Sequence, residues 1–365
     1  MRLFTLMPLF LLPLLFAACT DMPSEDTETK RIVYVFYTPH GLGDLSFCDS
    51  ICRGVTQSEL KYGFSKTDIA PDSWAVAEDT LCTLLTYLRD TKASPKTALC
   101  IFCDTPYLSL LEKHQTLFSA GLATFLAFDM RESDIPHSLR DAFSSVDMPF
   151  YGVCYEAGAL TKALYEVAPS NKKTLIISAD KNHSALNNAI KGFAQGLGIQ
   201  QIPEITLSSN YEAASNLDVY YITADEPFNA AGLLYQQSAW IFDRGYSTVF
   251  PLCGGSIMGL IRYNREQERQ STVFCTIGMD ADMSIYTEKV PFSVVKHADK
   301  AVSRCIAQWQ SDGSIPRCQS FGLESGYLEI LISKKSPHKT SLMQTLQSIH
   351  QTAIEQEAEY EKTRT

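Results

Sequence analysis

Short β-rich apolar runs recur along this sequence and are separated by segments with helical periodicity. The runs are residues 32–37, 97–103, 124–128, 174–178, 219–223, 249–253 and 273–279. The segments with apolar residues at helical spacing include 74–90, 185–198 and 230–243. Continuous apolar strands that alternate with helices are typical of a parallel sheet covered on both faces. The pattern therefore predicts an α/β protein, and a length of 365 residues suggests two domains at about 150 residues each.

Acidic residues or glycines follow most of these runs within a residue or two. They are Asp104, Asp129, Asp180, Asp225, Gly254, Gly255 and Asp280. In open α/β sheets, the edge at which the strands end forms the ligand crevice. A single Asp at such a place could equally be a helix N-cap. Several of them together predict a cleft that binds hydroxyl groups or a cationic atom, with two sheets facing each other across it.

Sequence patterns of catalytic and metal sites are not found in this chain. It has neither a P-loop nor the Rossmann pattern G-x-G-x-x-G after a strand. Residues 254–259 (GGSIMG) resemble a nucleophile elbow, but the second glycine lies one position too far from Ser256. The seven histidines are scattered without paired metal-ligand spacing, so we expect surface or hydrogen-bonded side chains. We predict a protein that is not an enzyme and that uses no metal and no cofactor.

The N-terminus has the features of a bacterial lipoprotein signal. One positive charge at Arg2 precedes an apolar run that ends in Ala17-Ala18-Cys19. The run is shorter than the roughly 20 residues that span a bilayer. We predict a signal peptide over residues 1–18, lipid attachment at Cys19 and an acidic tether over residues 19–30, with a plain signal peptide as the alternative.

Charge and cysteine placement limit the classes of partner. A net charge of −10 argues against nucleic acid and against a basic membrane-binding face. Besides Cys19 the chain has ten cysteines, and most lie in or beside apolar runs, where cysteine packs as a small apolar side chain. Cys100 and Cys103 have the spacing of a redox or zinc pair. Because they lie inside a predicted strand, on opposite faces, core packing is the favoured interpretation.

Several segments resemble, in the same order, the motifs of one known family. They are 41–47 (GLGDLSF), 193–196 (FAQG), 253–256 (CGGS), 277–282 (IGMDAD), 293–302 (SVVKHADKAV) and 321–326 (FGLESG). Together they are similar to the basic membrane protein family, the PnrA-like substrate-binding lipoproteins of ABC transporters. The sequence departs from the family at Cys48, where the family usually has Asn.

The resemblance implies a type I periplasmic-binding-protein fold, with two Rossmann-like lobes of parallel sheet joined by a three-segment hinge. The implied N-lobe is 31–148 plus 297–320 and the implied C-lobe is 149–296 plus 321–335. A C-terminal helix is expected over 336–365. The best-understood members of the family bind purine nucleosides between the lobes, for uptake by an ABC transporter.

The resemblance also implies a set of ligand-binding residues. Asp44 and Phe47 would lie on the first loop of the N-lobe, and Asp104 would follow a strand of the same lobe. Gly254 and Gly255 would bring backbone N–H groups close to the ligand. The remaining assignments are Asp280 as acceptor for ribose hydroxyls, Lys296 from the hinge, and Phe228 with Phe47 as rings around a base.

The sequence therefore predicts a solute-binding lipoprotein, tethered by Cys19 to a bacterial membrane in the cell envelope, that captures a nucleoside-like ligand and hands it to an ABC permease. One alternative is a ligand-sensing or interaction lipoprotein without a transporter. A second is a hydrolase in the same cleft, for which Asp104 and Asp280 would be the acid/base pair.

Overall fold

The computed structural model describes residues 31–167, 172–207, 216–267 and 274–364. The predicted signal peptide, Cys19 and the predicted tether lie outside these residues. In the part that is described, no helix combines the length and the apolar character needed to cross a membrane.

Strands and helices alternate through most of the chain. The strands are β1 (Ile32–Phe36), β2 (Ser65–Ile69), β3 (Ala98–Phe102), β4 (Thr124–Phe128), β5 (Phe143–Asp147), β6 (Thr174–Ser178), β7 (Glu204–Ile205), β8 (Leu217–Tyr221), β9 (Thr248–Leu252), β10 (Cys275–Thr276), β11 (Gly278–Asp280), β12 (Phe292–Lys296), β13 (Cys318–Ser320) and β14 (Leu328–Ile332). The helices are α1 (Phe47–Tyr62), α2 (Trp74–Asp90), α3 (Pro106–Lys113), α4 (Tyr151–Val167), α5 (Ser184–Leu197), α6 (Ala231–Asp243), α7 (Ile257–Glu266), α8 (Ala298–Asp312) and α9 (Lys339–Thr363).

Two parallel sheets and one small mixed sheet organise these elements. The first has six strands in the order β13-β5-β4-β3-β1-β2, and the second has five in the order β10-β9-β6-β8-β7. The third joins β11, β12 and β14, with β11 parallel and β14 antiparallel to β12. Helices α1 and α8 cover one face of the six-stranded sheet and α2 with α3 cover the other, which gives a core on each face. We call this sheet with its helices the N-lobe, and the five-stranded sheet with α4 to α7 the C-lobe.

The predicted elements agree with the structure except at one run. Strands at 124–128 and 174–178 and the helix at 74–90 have the observed bounds. The run 273–279 was predicted as one strand, and this is wrong. It divides into β10, which pairs with β9 in the C-lobe, and β11, which pairs with β12 in the small sheet. The run reads as continuous because Ile277 is buried at the break, and Phe274 and Met279 are buried on its two sides.

Cysteines of the described residues are all unbonded. Cys100 packs in the core on the α2 side of the six-stranded sheet, and Cys103 packs in the core on the α1 side. Their side chains therefore lie on opposite faces, as predicted for a strand, and do not form a redox pair.

The chain passes between the two lobes at three places. Each crossing is marked by neighbouring buried residues that pack in different lobe cores: Met148 and Phe150, Val294 and Ala298, Phe321 and Leu323. The small sheet lies at these crossings because β12 leads into the second and β14 follows the third. The predicted lobe boundaries at 148/149, 296/297 and 320/321 stay a proposal.

Helix α9 packs along α4 on the outside of the C-lobe. Its buried residues Leu342 and Ala353 join the C-lobe core. The sequence predicts this helix from apolar residues at intervals along a polar stretch. Its end lies near the crossing segments and brings Arg364 to the lining of the cleft.

Candidate functional site

A cavity of about 520 Å³ lies between the two lobes. Its walls come from the carboxyl ends of β1, β3, β4 and β5 on one side and of β6 and β9 on the other, where parallel sheets place their ligands. The residues predicted for ligand binding all line it: Asp44, Phe47, Asp104, Phe228, Gly254, Gly255, Asp280 and Lys296. Asp180 and Asp225, which also follow strands, are not among the lining residues. The cavity therefore collects the predicted site residues, and their roles in binding stay a proposal.

Asp44 lies at the cavity wall, but its carboxylate is already engaged by helix α1. The backbone N–H groups of Ser46, Cys48 and Asp49 donate to it at 2.8, 3.0 and 3.2 Å. Ser46 is the N-cap residue, and Cys48 and Asp49 lie in the first helical turn, where N–H groups have no partner inside the helix. Burial raises the pKa of Asp44, and these three hydrogen bonds oppose that rise. The carboxylate of Asp44 thus caps the N-terminus of α1. It thereby fixes the position of Phe47, the first residue of that helix.

Lys296 ends β12 at the second crossing, and its ammonium group is buried between aromatic rings. The nitrogen lies 4.8 Å from the ring centre of Phe47 and 4.2 Å from that of Phe150. It also forms an ion pair with Asp129, which follows β4. Burial raises the pKa of Asp129, and the charge of Lys296 opposes this. An ammonium group has three donors, so the ion pair leaves donors for a ligand.

Asp104 follows β3 and is a lining carboxylate whose proton affinity is raised. Burial raises its pKa to about 6, and the charge of Asp180 in the C-lobe contributes to the rise. Hydrogen bonds from Thr105 oppose it. A carboxylate in this state gains from any donor that enters the cavity, because a donor would replace the water lost on burial.

Phe228 and His183 lie together on the C-lobe side of the cavity. Their rings meet edge to face with centres 6.3 Å apart, and Phe228 is 41% exposed. Although Nδ1 of His183 is buried, it has no hydrogen-bond partner among the described residues. The prediction of surface or hydrogen-bonded histidines is therefore wrong for this one, which lines the cavity with a buried Nδ1 that has no hydrogen-bond partner among the described residues. Burial lowers the pKa of His183.

The glycine pair after β9 brings backbone close to both lobes. A Cβ atom on Gly255 would lie 3.4 Å from the Asp44 Cα of the N-lobe. Gly254 has a φ of 50°, and a Cβ there would lie 3.3 Å from the ring of Phe228. Glycine is favoured at 254 by its positive φ and by the tight contact with Phe228, whereas a Cβ on Gly255 would make only ordinary contact with the N-lobe.

Contacts at the mouth of the cavity show that the lobes are closed. The Ser46 hydroxyl donates to Asp280 Oδ2 at 2.7 Å. His40, in the loop after β1, lies 3.1 Å from Glu226 in the loop before α6. Both pairs connect N-lobe residues to the C-lobe side. They form only when the two lobes meet across the cavity.

The sequence analysis missed a charged group at the crossing side of the cavity. Asp147, Arg131, Asp134 and Arg364 line this side. Burial raises the pKa of Asp147 to about 7, and the charges of Arg364 and Arg131 oppose the rise. Asp147 ends β5 and could have been found as another acidic strand end, but Ser144 and Ser145 interrupt the apolar run of β5. Arg364 had no signal, because only the folded helix brings the C-terminus to the cavity.

Metal binding finds no support in the described part of the chain, where no three His, Cys, Asp or Glu side chains are grouped as potential ligands.

Comparison with solved structures shows the fold. No family model matches the sequence. The chain is similar to a solute-binding protein of an ABC transporter system from Aeropyrum pernix K1, with a TM-score of 0.63 and 16% identity over 90% of each chain. It is similar to a transcriptional activator of the comK gene from Bacillus halodurans, with a TM-score of 0.62 and 13% identity over 89% of this chain and 97% of that one.

A third similar structure is a periplasmic solute-binding protein of an ABC transporter from Actinobacillus succinogenes with bound D-allose. Its TM-score is 0.55 at 10% identity, over 86% of this chain and 99% of that one. At such identities the likeness establishes fold alone. The chain has the α/β type I periplasmic-binding-protein fold, and the predicted fold class is confirmed.

Proposed function

We propose that this protein is a solute-binding protein that captures a purine nucleoside in the cavity between its lobes. The observation that carries the proposal is the cavity of about 520 Å³ between the lobes, with aromatic rings and acceptor carboxylates in its wall. Cavities of this size that bury most of a ligand, with a few placed polar groups, are typical small-molecule sites.

The ring of Phe228 supports a flat, apolar ligand part. It stands exposed in the C-lobe wall, and Phe47 lies in the N-lobe wall. Stacking of an aromatic side chain on a base does not depend on the hydrogen-bond donors and acceptors of that base. The exposed ring of Phe228 therefore suits a purine held between the lobes, whereas the ring of Phe47 already contacts Lys296 and Phe128.

The carboxylates support a ligand part rich in hydroxyl groups. Asp104 and Asp280 come from opposite lobes, and an ionised carboxylate only accepts hydrogen bonds. Ribose hydroxyls are donors of the matching kind. A likeness in fold to a protein with bound D-allose agrees with a polyhydroxyl ligand.

The paired state of the cavity's cations argues against a phosphorylated ligand. Lys296 is bound to Asp129, Arg131 lies 3.3 Å from Asp134, and Arg364 is bound to Glu361. A phosphate would compete with these carboxylates for the cations while it faced Asp104 and Asp147. A nucleoside avoids this repulsion, and a nucleotide does not.

Attachment and delivery belong to the same proposal. Lipid on Cys19 would hold the protein to a bacterial membrane outside the cytoplasm, and an ABC permease would receive the ligand. The likeness in fold to solute-binding proteins of ABC transporters supports delivery. The proposal assigns no catalytic residue.

Calorimetric titration of the full chain with adenosine, inosine and guanosine tests the ligand. We expect saturable binding of at least one nucleoside, weaker binding of D-ribose and D-allose, and none of the corresponding nucleoside monophosphate. If a free sugar binds more tightly than any nucleoside, the ligand of this protein is a sugar and not a nucleoside. No heat and no thermal shift with any of these compounds would remove the ligand class.

Delivery is tested separately by crosslinking in the cell envelope. We expect a permease to be captured through the lobe surfaces that border the cavity. If the crosslinked partner is stable and is not a permease, the function is ligand sensing and not transport.

A further inference from the structure

Glu357, near the end of α9, is a buried glutamate that connects two distant chain segments. It is 7% exposed. Its Oε2 accepts a hydrogen bond from the Gly152 N–H at 2.8 Å, and its Oε1 accepts one from the Leu323 N–H at 2.9 Å. Gly152 is the second residue of α4, and Leu323 lies in the loop between β13 and β14. A single carboxylate therefore joins the first interlobe crossing to the third.

The two segments are shaped to admit this carboxylate. A Cβ atom on Gly152 would lie 2.8 Å from Glu357 Oε2, and a Cβ on Gly322 would lie 2.3 Å from Oε1. Both distances are shorter than van der Waals contact. A glycine thus stands in each segment at the place where the carboxylate enters. The carboxylate occupies a formed site and does not merely lie against a helix.

The bonds of Glu357 lie on the C-lobe side of both crossings. At the first crossing Phe150 is the first residue in the C-lobe core, and at the third it is Leu323. On the N-lobe side, the Phe321 N–H donates to the Asp147 carbonyl oxygen at 2.8 Å. The two crossings are therefore tied to each other at both ends. Residues 148–151 and Gly322 lie between the ties.

We propose that Glu357 fixes the axis about which the lobes rotate, and that α9 braces the hinge in the orientation that lets the lobes close. The inference goes beyond the proposed ligand, because it holds for any molecule that the cavity binds.

The mouth contacts explain why a fixed axis matters. Ser46 meets Asp280 in one relative orientation of the lobes. If the C-lobe ends of the two crossings were free of each other, the lobes would be spread over more orientations, and fewer molecules would have this contact. Glu357 is thus a positioning residue for closure that touches neither the cavity nor its ligand.

Residue-resolved amide exchange by NMR and small-angle X-ray scattering of the full chain, without added ligand, test the proposal. The variants are Glu357→Ala and Glu357→Gln. Glu359→Ala is the matched control, because Glu359 is exposed on the same helix and carries the same charge. In Glu357→Ala we expect at least tenfold faster exchange of the Gly152 and Leu323 amides and a larger radius of gyration than in the wild type and the control.

Glu357→Gln separates a brace from a general structural role. A glutamine has one acceptor oxygen, so it can serve only one of the two amides. We expect one of Gly152 and Leu323 to keep slow exchange while the other gains at least tenfold. Loss of α9 docking would instead raise exchange evenly along the helix.

An unchanged radius of gyration in a variant whose two amides exchange faster would overturn the proposal. Even exchange along α9 with an unchanged radius would do the same. If Glu357→Ala fails to fold, the amide exchange and the radius of gyration of Glu357→Gln test the proposal instead. Because no ligand is added, failure here is distinct from failure of the nucleoside proposal.

Discussion

The Ser46 hydroxyl donates a hydrogen bond of 2.7 Å to Asp280 Oδ2 across the cavity. Ser46 is the N-cap residue of α1 in the N-lobe, and Asp280 ends β11, whose neighbour Met279 packs in the C-lobe core. Asp280 has a φ of 62°, which is uncommon outside glycine. Such backbone conformations persist where the surrounding structure holds them, and they are frequent at ligand clamps. The bond thus links the start of α1 to the closed state of the lobes.

Ser46→Ala should weaken ligand binding without unfolding the protein. Ser46 is buried and small, so the substitution removes a hydroxyl and little volume. A hydrogen bond of this kind contributes about 1 kcal/mol net, which corresponds to roughly fivefold in affinity. Calorimetry with adenosine measures it. Ser138→Ala, which removes an exposed hydroxyl from the N-lobe, is the control. Equal affinity in both variants would show that the bond does not act in closure.

Phe228→Ala should reduce nucleoside affinity by about tenfold or more, because stacking of a base on an aromatic ring contributes about 1–3 kcal/mol. Since the side chain is 41% exposed, we expect no change in the thermal unfolding midpoint. Leu60→Ala removes an apolar side chain that is 83% exposed and far from the cavity, and it should change neither quantity. Unaltered adenosine binding by Phe228→Ala would exclude Phe228 as a stacking partner.

The apolar central strands made the fold predictable. β3, β6 and β9 are buried along their whole length, and such runs are typical of parallel sheets. β2 was missed because it is an edge strand with exposed Thr67 and Asp68, and a polar strand has no apolar run to read. The break at Ile277 was missed for the opposite reason, since both halves of the run are apolar and only pairing distinguishes their sheets.

The candidate site was predictable only where its residues follow strands or match a motif. Asp104 and Asp280 end strands, so one rule brings them to the same cleft. That rule does not say which carboxylates remain free. Asp44 caps the N-terminus of α1, and Asp129 forms an ion pair with Lys296. The sequence did not predict the place of His183, because the pattern around a single histidine in a loop does not distinguish a side chain that faces water from one that lines a cavity.

Removing one partner of the Lys296–Asp129 pair should destabilise the protein strongly. Lys296 is 3% exposed, and a buried charge left without its partner costs about 3–5 kcal/mol. Lys296→Met keeps the length of the side chain but leaves Asp129 unpaired. We expect the free energy of unfolding in urea to fall by this amount. The double variant Lys296→Met/Asp129→Asn should recover at least half of the loss.

An exposed ion pair is the control for that cycle. Arg262 lies 2.9 Å from Glu266 on α7, and both side chains are exposed. Arg262→Met should cost at most about 0.5 kcal/mol. No recovery in the double variant would mean that Lys296 stabilises the fold through Phe47 and Phe150 and not through Asp129.

Stability should decline with rising pH because of Glu156 on α4. Its side chain is 1% exposed, and burial raises its pKa to about 7, although His350 on α9 opposes the rise. Unfolded glutamate titrates near 4.3, so the folded state binds the proton more tightly. The contribution to stability is therefore complete below about pH 4 and is lost as pH rises through about 7.

Urea unfolding of Glu156→Gln between pH 5 and pH 8 tests this. The wild type should lose more free energy of unfolding than the variant, by an amount on the order of 3 kcal/mol. His350 hydrogen-bonds Glu156, and the charge of Glu156 raises the pKa of Glu357. The difference therefore reports Glu156 together with its effect on Glu357. Glu166→Gln, on the exposed side of α4, should follow the wild type. Parallel curves for all three proteins would contradict the prediction.

Gly158→Ala should disrupt the packing of the C-lobe strongly, although it is a conservative change. A Cβ atom at Gly158 on α4 would lie 2.0 Å from the Phe193 carbonyl oxygen on α5. From the other helix, a Cβ at Gly192 would lie 2.2 Å from the Tyr151 carbonyl oxygen. Backbone atoms cannot rotate away as a side chain can, so the helices must separate. We expect a loss of about 3 kcal/mol in the free energy of unfolding.

Gly232→Ala supplies the matched control, since a Cβ there meets no atom within 4 Å. This glycine is exposed near the start of α6, where alanine should stabilise the helix by about 0.5–1 kcal/mol. Both substitutions add one methyl group, and their expected effects on the free energy of unfolding have opposite signs. The difference between the two effects therefore reports how little space lies between α4 and α5. Similar effects at both positions would show that α4 and α5 can separate at little cost. The start of α4, where Glu357 binds Gly152, would then be less rigid than a fixed hinge axis requires.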